Sequence, residues 1–195
     1  MTKSLILGTI LGGLMAFVWS SISWELIGWH EKTMVGFQNE DEVSAIIASH
    51  ATQDGTYMLP NLPPTAGMTP EQKKSALAAL MQKMQAGPIM VAAVRIGGFG
   101  SYSRGLIVQL LSLMAAAFLL TWLLLQTSGL SYARRVAFLA IVGLAASVIV
   151  DLPNWNWWGF SGAYTAVNLA DCTLTWLVAG LVIARVAKPA KPEVH

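Results

Sequence analysis

Asp171 is the residue of this chain best placed to do chemistry, because it is an ionisable group near the middle of a long apolar run. At helical spacing it shares one face with three other polar residues, Tyr164, Asn168 and Thr175. A carboxyl with little access to water is either protonated or in contact with trapped water, and it can take up and release protons. The stripe predicts an intramembrane polar site that faces protein, not lipid.

Two interpretations of Asp171 follow from its chemistry. In the first, the carboxyl relays protons or substrate within a helical bundle. In the second, a protonated Asp171 joins helices by hydrogen bonds to Asn168, Thr175 or facing polar residues. The candidates on facing helices are Gln109, Ser112 and Ser147. We favour the second interpretation, because no Lys or Arg lies in the interior of any span, and one acidic residue without charged companions makes a poor relay.

A second polar group is predicted near the outer membrane interface, formed by Glu25, His30 and Asp151. Carboxylates and an imidazole could bind a cation or do acid–base chemistry there. Their spacing is not a ligand motif, and on a continuous helix Glu25 shares a face with Trp29 while His30 points elsewhere. We expect these residues to anchor and cap helices at the interface.

Soft metal ligands are also present, since six methionines and two histidines lie between the first and second apolar runs. They are Met34, Met58, Met68, Met81, Met84, Met90, His30 and His50. Met81 and Met84 fall on a predicted buried helix face, so we expect core packing and no metal site. Cys172 is the only cysteine, which excludes an intrachain disulfide and a thiolate cluster. With no catalytic or cofactor motif, we expect neither enzyme activity nor a bound cofactor.

Composition places these residues in a membrane protein. Hydrophobic residues make up 55% of the chain and charged residues only 11%, and the mean hydropathy is +0.57. Such values are typical of integral membrane proteins. The net charge of +2 is too small and too scattered for a nucleic-acid-binding face.

The apolar runs predict an all-α transmembrane four-helix bundle with a small α+β extracytoplasmic domain inserted between helices 1 and 2. The predicted transmembrane helices are 4–27, 105–127, 136–151 and 162–187, with the outer domain at 28–104 and a cytoplasmic tail at 188–195. The first run is a full span with no cleavage site after it, so we expect an uncleaved anchor.

Orientation follows from six basic residues that flank the spans on one side: Lys3, Arg134, Arg135, Arg185, Lys188 and Lys191. The segment that ends at Arg104 is longer than the short loops to which the positive-inside count applies, so its basic residues do not contradict this orientation. The opposite short loop, 151–161, has no Lys or Arg and carries four aromatic residues. The positive-inside rule then predicts a multi-pass protein of the bacterial inner membrane with both termini in the cytoplasm.

The outer domain is predicted to contain two helices and two strands. One helix follows Asn39, and the other begins with a capping box at Thr69 and Gln72. The strands are expected at 56–59 and 89–96. The second helix should bury one stripe, formed by Leu77, Leu80, Met81 and Met84. So small a unit has a thin core, so we expect it to rest on the membrane or on a partner.

The first third of the chain carries a distinctive set of aromatic, small and charged residues. These are Phe17, Trp19, Ser23, Trp24, Trp29, His30, Phe37, Glu40, Glu42, Gly55, Tyr57, Leu59 and Pro60. The pattern resembles a family of small uncharacterised bacterial inner-membrane proteins that have an FxWxxxSWxxxxWH first helix and a GxYxLP segment. The resemblance implies an anchor helix, a small outer domain and a following helical bundle, and it implies no activity.

Together these features favour a non-enzymatic accessory or interaction protein that presents a small outer domain on a helical bundle. Its partners would be the lipid bilayer and either another protein or a second copy. The alternative is a small proton-coupled transporter or channel-like protein that uses Asp171. An Asp171→Asn substitution separates the two, because a coupled carrier needs the carboxyl and a partner protein does not.

Overall fold

The computed structural model describes residues 2–187 and divides them into two compact units. The first unit comprises the residues up to 35, 101–155 and those from 160 onward. The second comprises 36–100 and 156–159. The predicted tail at 188–195, with Lys188 and Lys191, lies outside the described residues.

The first unit is built from four helices that are long and apolar enough to cross a membrane. They are α1 (Thr2–Ser21, continued by a π-helix over Ile22–Ile27), α4 (Tyr102–Leu125), α5 (Tyr132–Trp158) and α6 (Gly162–Val186). This pattern is that of a multi-pass membrane protein. A short 3₁₀ turn, Glu31–Thr33, follows the π-helix.

Close approach of α1 to α4 and α6 depends on glycines. A Cβ on Gly8 would clash with Thr121 Cγ2, and one on Gly12 would lie 2.5 Å from Ile183 Cγ1. Small residues let membrane helices pack with their backbones close together. The Gly8 and Gly12 contacts are therefore made within the chain.

Helix α5 is longer than the span predicted at 136–151. It continues through Pro153 to Trp158, so the expected turn at Leu152-Pro153-Asn154 is helical. Proline inside a helix removes one backbone N–H donor and so leaves one carbonyl without its helical partner. Membrane helices tolerate proline because neighbouring groups can satisfy that carbonyl. The connection between α5 and α6 is only Gly159, Phe160 and Ser161.

The core of the first unit lies where α1, α4, α5 and α6 meet. Its buried apolar residues are Ala16, Ala117, Leu120, Leu124, Leu139, Trp176, Ala179, Ile183 and Ala187. Gly143 of α5 lies against α6, since a Cβ there would be 2.6 Å from Trp176 Cδ1. At Gly143, α5 therefore packs closely against Cys172 and Trp176 of α6.

The second unit contains α2 (Glu40–His50), α3 (Pro70–Ala86) and a two-stranded antiparallel sheet. Its strands are β1 (Gly55–Leu59) and β2 (Met90–Val94), with Gly55 opposite Val94 and Leu59 opposite Met90. Both helices and both strands of the prediction are present, with strand ends that differ by a few residues.

Helix α3 begins as predicted but does not bury the predicted stripe. Thr69 and Gln72 form a reciprocal capping box, with Pro70 in the first turn. Leu77 is 52% exposed, Met81 50% and Met84 43%. The expected buried face is wrong for this unit, because a two-stranded sheet and one short helix are too small to cover it.

Candidate intramembrane polar site

Asp171 lies on α6 about 14 Å along the helix from its first residue, Gly162. Its side chain is 14% exposed. Trp19 donates its indole N–H to Asp171 Oδ1 at 2.8 Å. His30 Nε2 lies 3.2 Å from Asp171 Oδ2. Both partners come from the far end of α1 and the turn that follows it.

A change of helical register at the end of α1 brings His30 to Asp171. The helix widens to a π-helix over Ile22–Ile27 and ends at Gly28, whose φ of 63° is left-handed. Glycine adopts this conformation without a steric penalty, so the chain can turn sharply there. The turn places His30 Nε2 3.3 Å from Ser23 Oγ, which itself accepts the indole N–H of Trp29 at 2.8 Å.

Aromatic rings enclose the imidazole of His30, which is only 2% exposed. Trp24 stacks on it with a centroid distance of 4.1 Å and an interplanar angle of 1°. Trp29 meets it edge-on at 5.8 Å. Among the described residues, His30 Nδ1 has no hydrogen-bond partner. His30 is therefore a buried histidine with one nitrogen on a carboxyl and one nitrogen free.

The His30–Asp171 pair can hold a proton in two places. With the proton on Nε2, the imidazole donates to the Asp171 carboxylate; with the proton on Oδ2, the carboxyl donates to the Nε2 lone pair. A second proton can be added at Nδ1, which gives an imidazolium paired with a carboxylate. The pair can thus change its charge without breaking the 3.2 Å contact.

Asp171 and His30 line an open cavity of about 480 Å³ within the first unit. The other residues in its wall are Ser20, Trp24, Gln109, Leu113, Ala146, Ser147, Val150, Asp151, Asn168, Cys172, Thr175 and Trp176. No Lys or Arg is among them. A cavity of this size is large enough for a small molecule and its water shell.

A second carboxyl, Asp151, lies in the same wall. It accepts a short hydrogen bond from the Ser147 hydroxyl and a longer one, 3.5 Å, from the Asn168 amide. Within residues 2–187, no Lys, Arg or His nitrogen lies within salt-bridge distance of Asp151. Its charge is met only by neutral donors.

The polar residues of the predicted stripe on α6 contact different partners in the structure. Asn168 bonds to Asp151, and the Thr175 hydroxyl donates to the backbone carbonyl of Asp171. Both line the cavity, but Tyr164 does not; its ring packs on Phe160. Hydrogen bonds to the Asp171 carboxyl come from the α1 end and not from Asn168 or Thr175.

The cavity wall includes some of the predicted facing residues and two members of the outer-interface group, His30 and Asp151. Gln109 and Ser147 line the cavity, whereas Ser112 bonds to a carbonyl of its own helix. Glu25 is exposed and lies 3.5 Å from the Tyr102 hydroxyl, away from the cavity. His30, which follows the turn at Gly28, is buried and contacts Ser23 and Asp171.

Trp19, Ser23 and Trp24 also belong to the site, although the sequence did not single them out as site residues. The available signal was the aromatic and small-residue pattern in the first third of the chain, in which all three stand with His30. Read as one continuous α-helix, these residues point in several directions. The π-helical turn and the reversal at Gly28 bring them around one imidazole.

Metal binding gains no support from this arrangement. Across residues 2–187, no group of three or more His, Cys, Asp or Glu side chains is arranged to hold a metal ion. Cys172 donates its thiol to the Gly143 carbonyl at 3.3 Å. No protein-family model matches the chain, and neither the curated proteins nor the solved structures include a significant match.

Proposed function

We propose that this protein is a small proton-coupled carrier that binds a polar solute in the cavity beside His30 and Asp171. The observation that carries the proposal is the 3.2 Å contact of His30 Nε2 with Asp171 Oδ2 in the wall of a 480 Å³ cavity. A titratable pair in a concave, partly apolar site is a common signature of a functional centre.

The pair answers the main argument against a relay. From sequence, Asp171 had no ionisable companion inside the apolar runs, and a lone acid cannot pass a proton on. His30 supplies the companion, and Trp19 holds the carboxyl in place through Oδ1. The proposal therefore gives Asp171 and His30 the role of proton site, with Trp19 and Ser23 as positioning residues.

We further propose that the cavity belongs to the outer half of a bacterial inner-membrane protein with both termini in the cytoplasm. The support is the distribution of charge: Lys3 precedes α1, Arg134 and Arg135 begin α5, and Arg185 ends α6. The positive-inside rule puts those ends in the cytoplasm. The ends of α1 and α5 that line the cavity then face outward.

Proton flux in reconstituted vesicles tests the carrier. The protein is placed in liposomes with an entrapped pH-sensitive dye, and guanidinium, sorbitol or gluconate is added outside as a cationic, neutral or anionic probe. We expect one class to change the lumenal pH, and Asp171→Asn to reduce that rate to the level of protein-free liposomes. Asn keeps the size and hydrogen-bonding capacity but cannot release a proton.

Glu25→Gln is the matched control, because Glu25 is a carboxyl of the same unit that does not line the cavity. This variant should keep the wild-type rate. If no class of probe moves protons faster than in protein-free liposomes, the carrier proposal is wrong.

An accessory role remains a second candidate, since the second unit exposes apolar side chains. Leu77, Met81 and Met84 follow one another on one face of α3 and are each more than two-fifths exposed. Ala51 and Pro60 are its only buried residues among 36–100. Exposed apolar faces of this kind often mark contact surfaces.

Purification in mild detergent tests that role. A stable companion at a fixed stoichiometry should be lost from a Leu77→Asp, Met81→Asp double variant, because charges on the face oppose its burial. Lys74→Gln, on the same helix, should retain it. A protein that purifies alone in all three forms would count against the accessory role.

A further inference from the structure

We infer that an apolar groove in the second unit lies at the surface of the bilayer, with its side chains inserted between phospholipids. The groove is formed by the end of β1, the start of β2, the end of α3 and the last two residues of α5, Trp157 and Trp158. All of its residues belong to the second unit. The inference is independent of the carrier function, because no residue of the groove lines the cavity beside Asp171.

The wall of the groove is apolar and partly exposed. Its side chains include Met58 and Leu59 of β1, Met84 of α3, and Ile89, which precedes β2. Each of these four is 37–50% exposed, and no lining residue is acidic or basic. The volume of the groove is about 20 Å³, whereas a small-molecule pocket has roughly 300 Å³ or more. Its occupant is therefore an apolar surface and not a small bound ligand.

The length of α5 places Trp157 and Trp158 at a membrane surface. The helix has 27 residues, so it is roughly 40 Å long. It begins beside Arg134 and Arg135, whose charges belong outside the hydrocarbon. A bilayer with its headgroups is about 40–45 Å thick, so a helix that begins in one headgroup layer ends in the other. Tryptophan is enriched at that level, because its ring is apolar and its N–H is polar.

An exposed apolar face of α5 leads from the hydrocarbon to the groove. Its residues are Ile141, Val148, Leu152 and Trp155, which are each at least 37% exposed. Their spacing of i, i+7, i+11 and i+14 puts them on one side of the helix. On a membrane-spanning helix such a side contacts lipid. Trp158 follows Trp155 by one turn, so the groove begins where this lipid-facing surface ends.

The strand ends that form the groove are held at the same level as the two tryptophans. A Cβ on Gly159, the residue after α5, would be 3.9 Å from Ile89 Cδ1. Met90, the next residue, pairs with Leu59 of β1. Phospholipid surrounds a helix end at this level at all times, whereas a protein partner does so only when it is bound. The position of the groove therefore favours phospholipid as its occupant.

Fluorescence quenching in nanodiscs that hold one copy of the full-length protein tests the inference. In a Cys172→Ser background, Met84→Cys or Ile89→Cys carries a nitrobenzoxadiazole label. The discs contain phosphatidylcholine with a nitroxide near the top of one acyl chain, which quenches a label that it contacts. We expect quenching at both positions that is at least about twofold stronger than at an exposed control position, because the groove inserts between these lipids.

Gln82→Cys is the matched control. Gln82 is exposed and lies only two residues from Met84, but on the opposite side of α3. Its label therefore reports on nearness of α3 to the membrane without insertion of the groove. Equal quenching at Gln82→Cys and Met84→Cys, or none at Met84→Cys and Ile89→Cys, would overturn the inference.

A charge in the groove gives a second test that does not depend on the position of one label. Ile89→Asp should lower quenching at Met84→Cys to the level of Gln82→Cys, because a carboxylate opposes insertion among acyl chains. Gln82→Asp should leave quenching at Met84→Cys unchanged. Quenching that survives Ile89→Asp would show that the groove does not insert.

Other occupants would give different results. Quenching that is absent with one copy per disc, together with a blue-shifted label when two copies are present, would assign the groove to a second copy. A label that is blue-shifted in native membranes but not in nanodiscs would assign it to a protein partner, and Met84 would then belong to the accessory role. Either result would overturn the assignment to phospholipid, and neither bears on proton flux through the carrier.

Discussion

At the scale of single residues, the site depends on hydrogen bonds between buried side chains, which water does not reach. Ser23 is fully buried, accepts from Trp29 and contacts His30. Trp19 satisfies the second oxygen of Asp171. Each polar atom left unpaired here would carry the desolvation cost of a buried group. The residues around His30 are therefore expected to contribute to stability as well as to proton binding.

Ser23→Ala should lower the free energy of unfolding by about 1–3 kcal/mol, because it leaves the Trp29 indole N–H without an acceptor. Ser21→Ala is the control: its hydroxyl is exposed and bonds only to a carbonyl of its own helix. That change should cost less than about 0.5 kcal/mol. Thermal unfolding in detergent measures both, and equal losses would contradict the role given to Ser23.

At the scale of helices, small residues set how closely the elements of the first unit approach. Gly8, Gly12 and Gly13 let α1 approach α4 and α6, and Gly143 lets α5 approach α6 beside Trp176 and Cys172. The π-helical turn at the end of α1 adds a local change of register. Such turns occur often at functional sites, since they redirect side chains without ending the helix.

Gly13→Ala should destabilise the protein by about 1–3 kcal/mol through overpacking. Its Cβ would lie 2.9 Å from the Cα of Met114, and a backbone atom cannot move aside as a side chain can. Gly97→Ala is the control, because a Cβ there meets nothing within 4 Å. The comparison is made by thermal unfolding; equal midpoints for the two variants would contradict close packing of α1 on α4.

At the scale of the whole molecule, four apolar helices make a multi-pass membrane protein, and flanking charge sets its proposed orientation. In the proposed orientation the cavity lies in the outer half of the membrane. The exposed apolar face of α3 belongs to the second unit, and it bears on the proposed accessory role and not on the carrier.

Cysteine labelling on intact cells tests the orientation. In a Cys172→Ser background, Lys74→Cys in the second unit should react with a membrane-impermeant maleimide, while Arg134→Cys at the start of α5 should not. Both should react after permeabilisation. Labelling of Arg134→Cys on intact cells would reverse the proposed topology.

Much of the fold was predictable from sequence because local signals dominate it. Long apolar runs need helical backbone in lipid, whatever their tertiary contacts, so all four long helices could be predicted. The capping box at Thr69 and the turn residues around β1 act within a few positions of the chain. The length of α5 was underestimated, since Pro153 normally ends helices in water.

The site shows what sequence alone determined and what required tertiary structure. Sequence singled out Asp171, since a carboxyl in an apolar run is costly wherever its neighbours lie. Its pairing with His30 across 141 positions depends on the π-helical turn, the left-handed Gly28 and the packing of α1 on α6. None of these follows from local periodicity, because each is decided by how two distant segments meet.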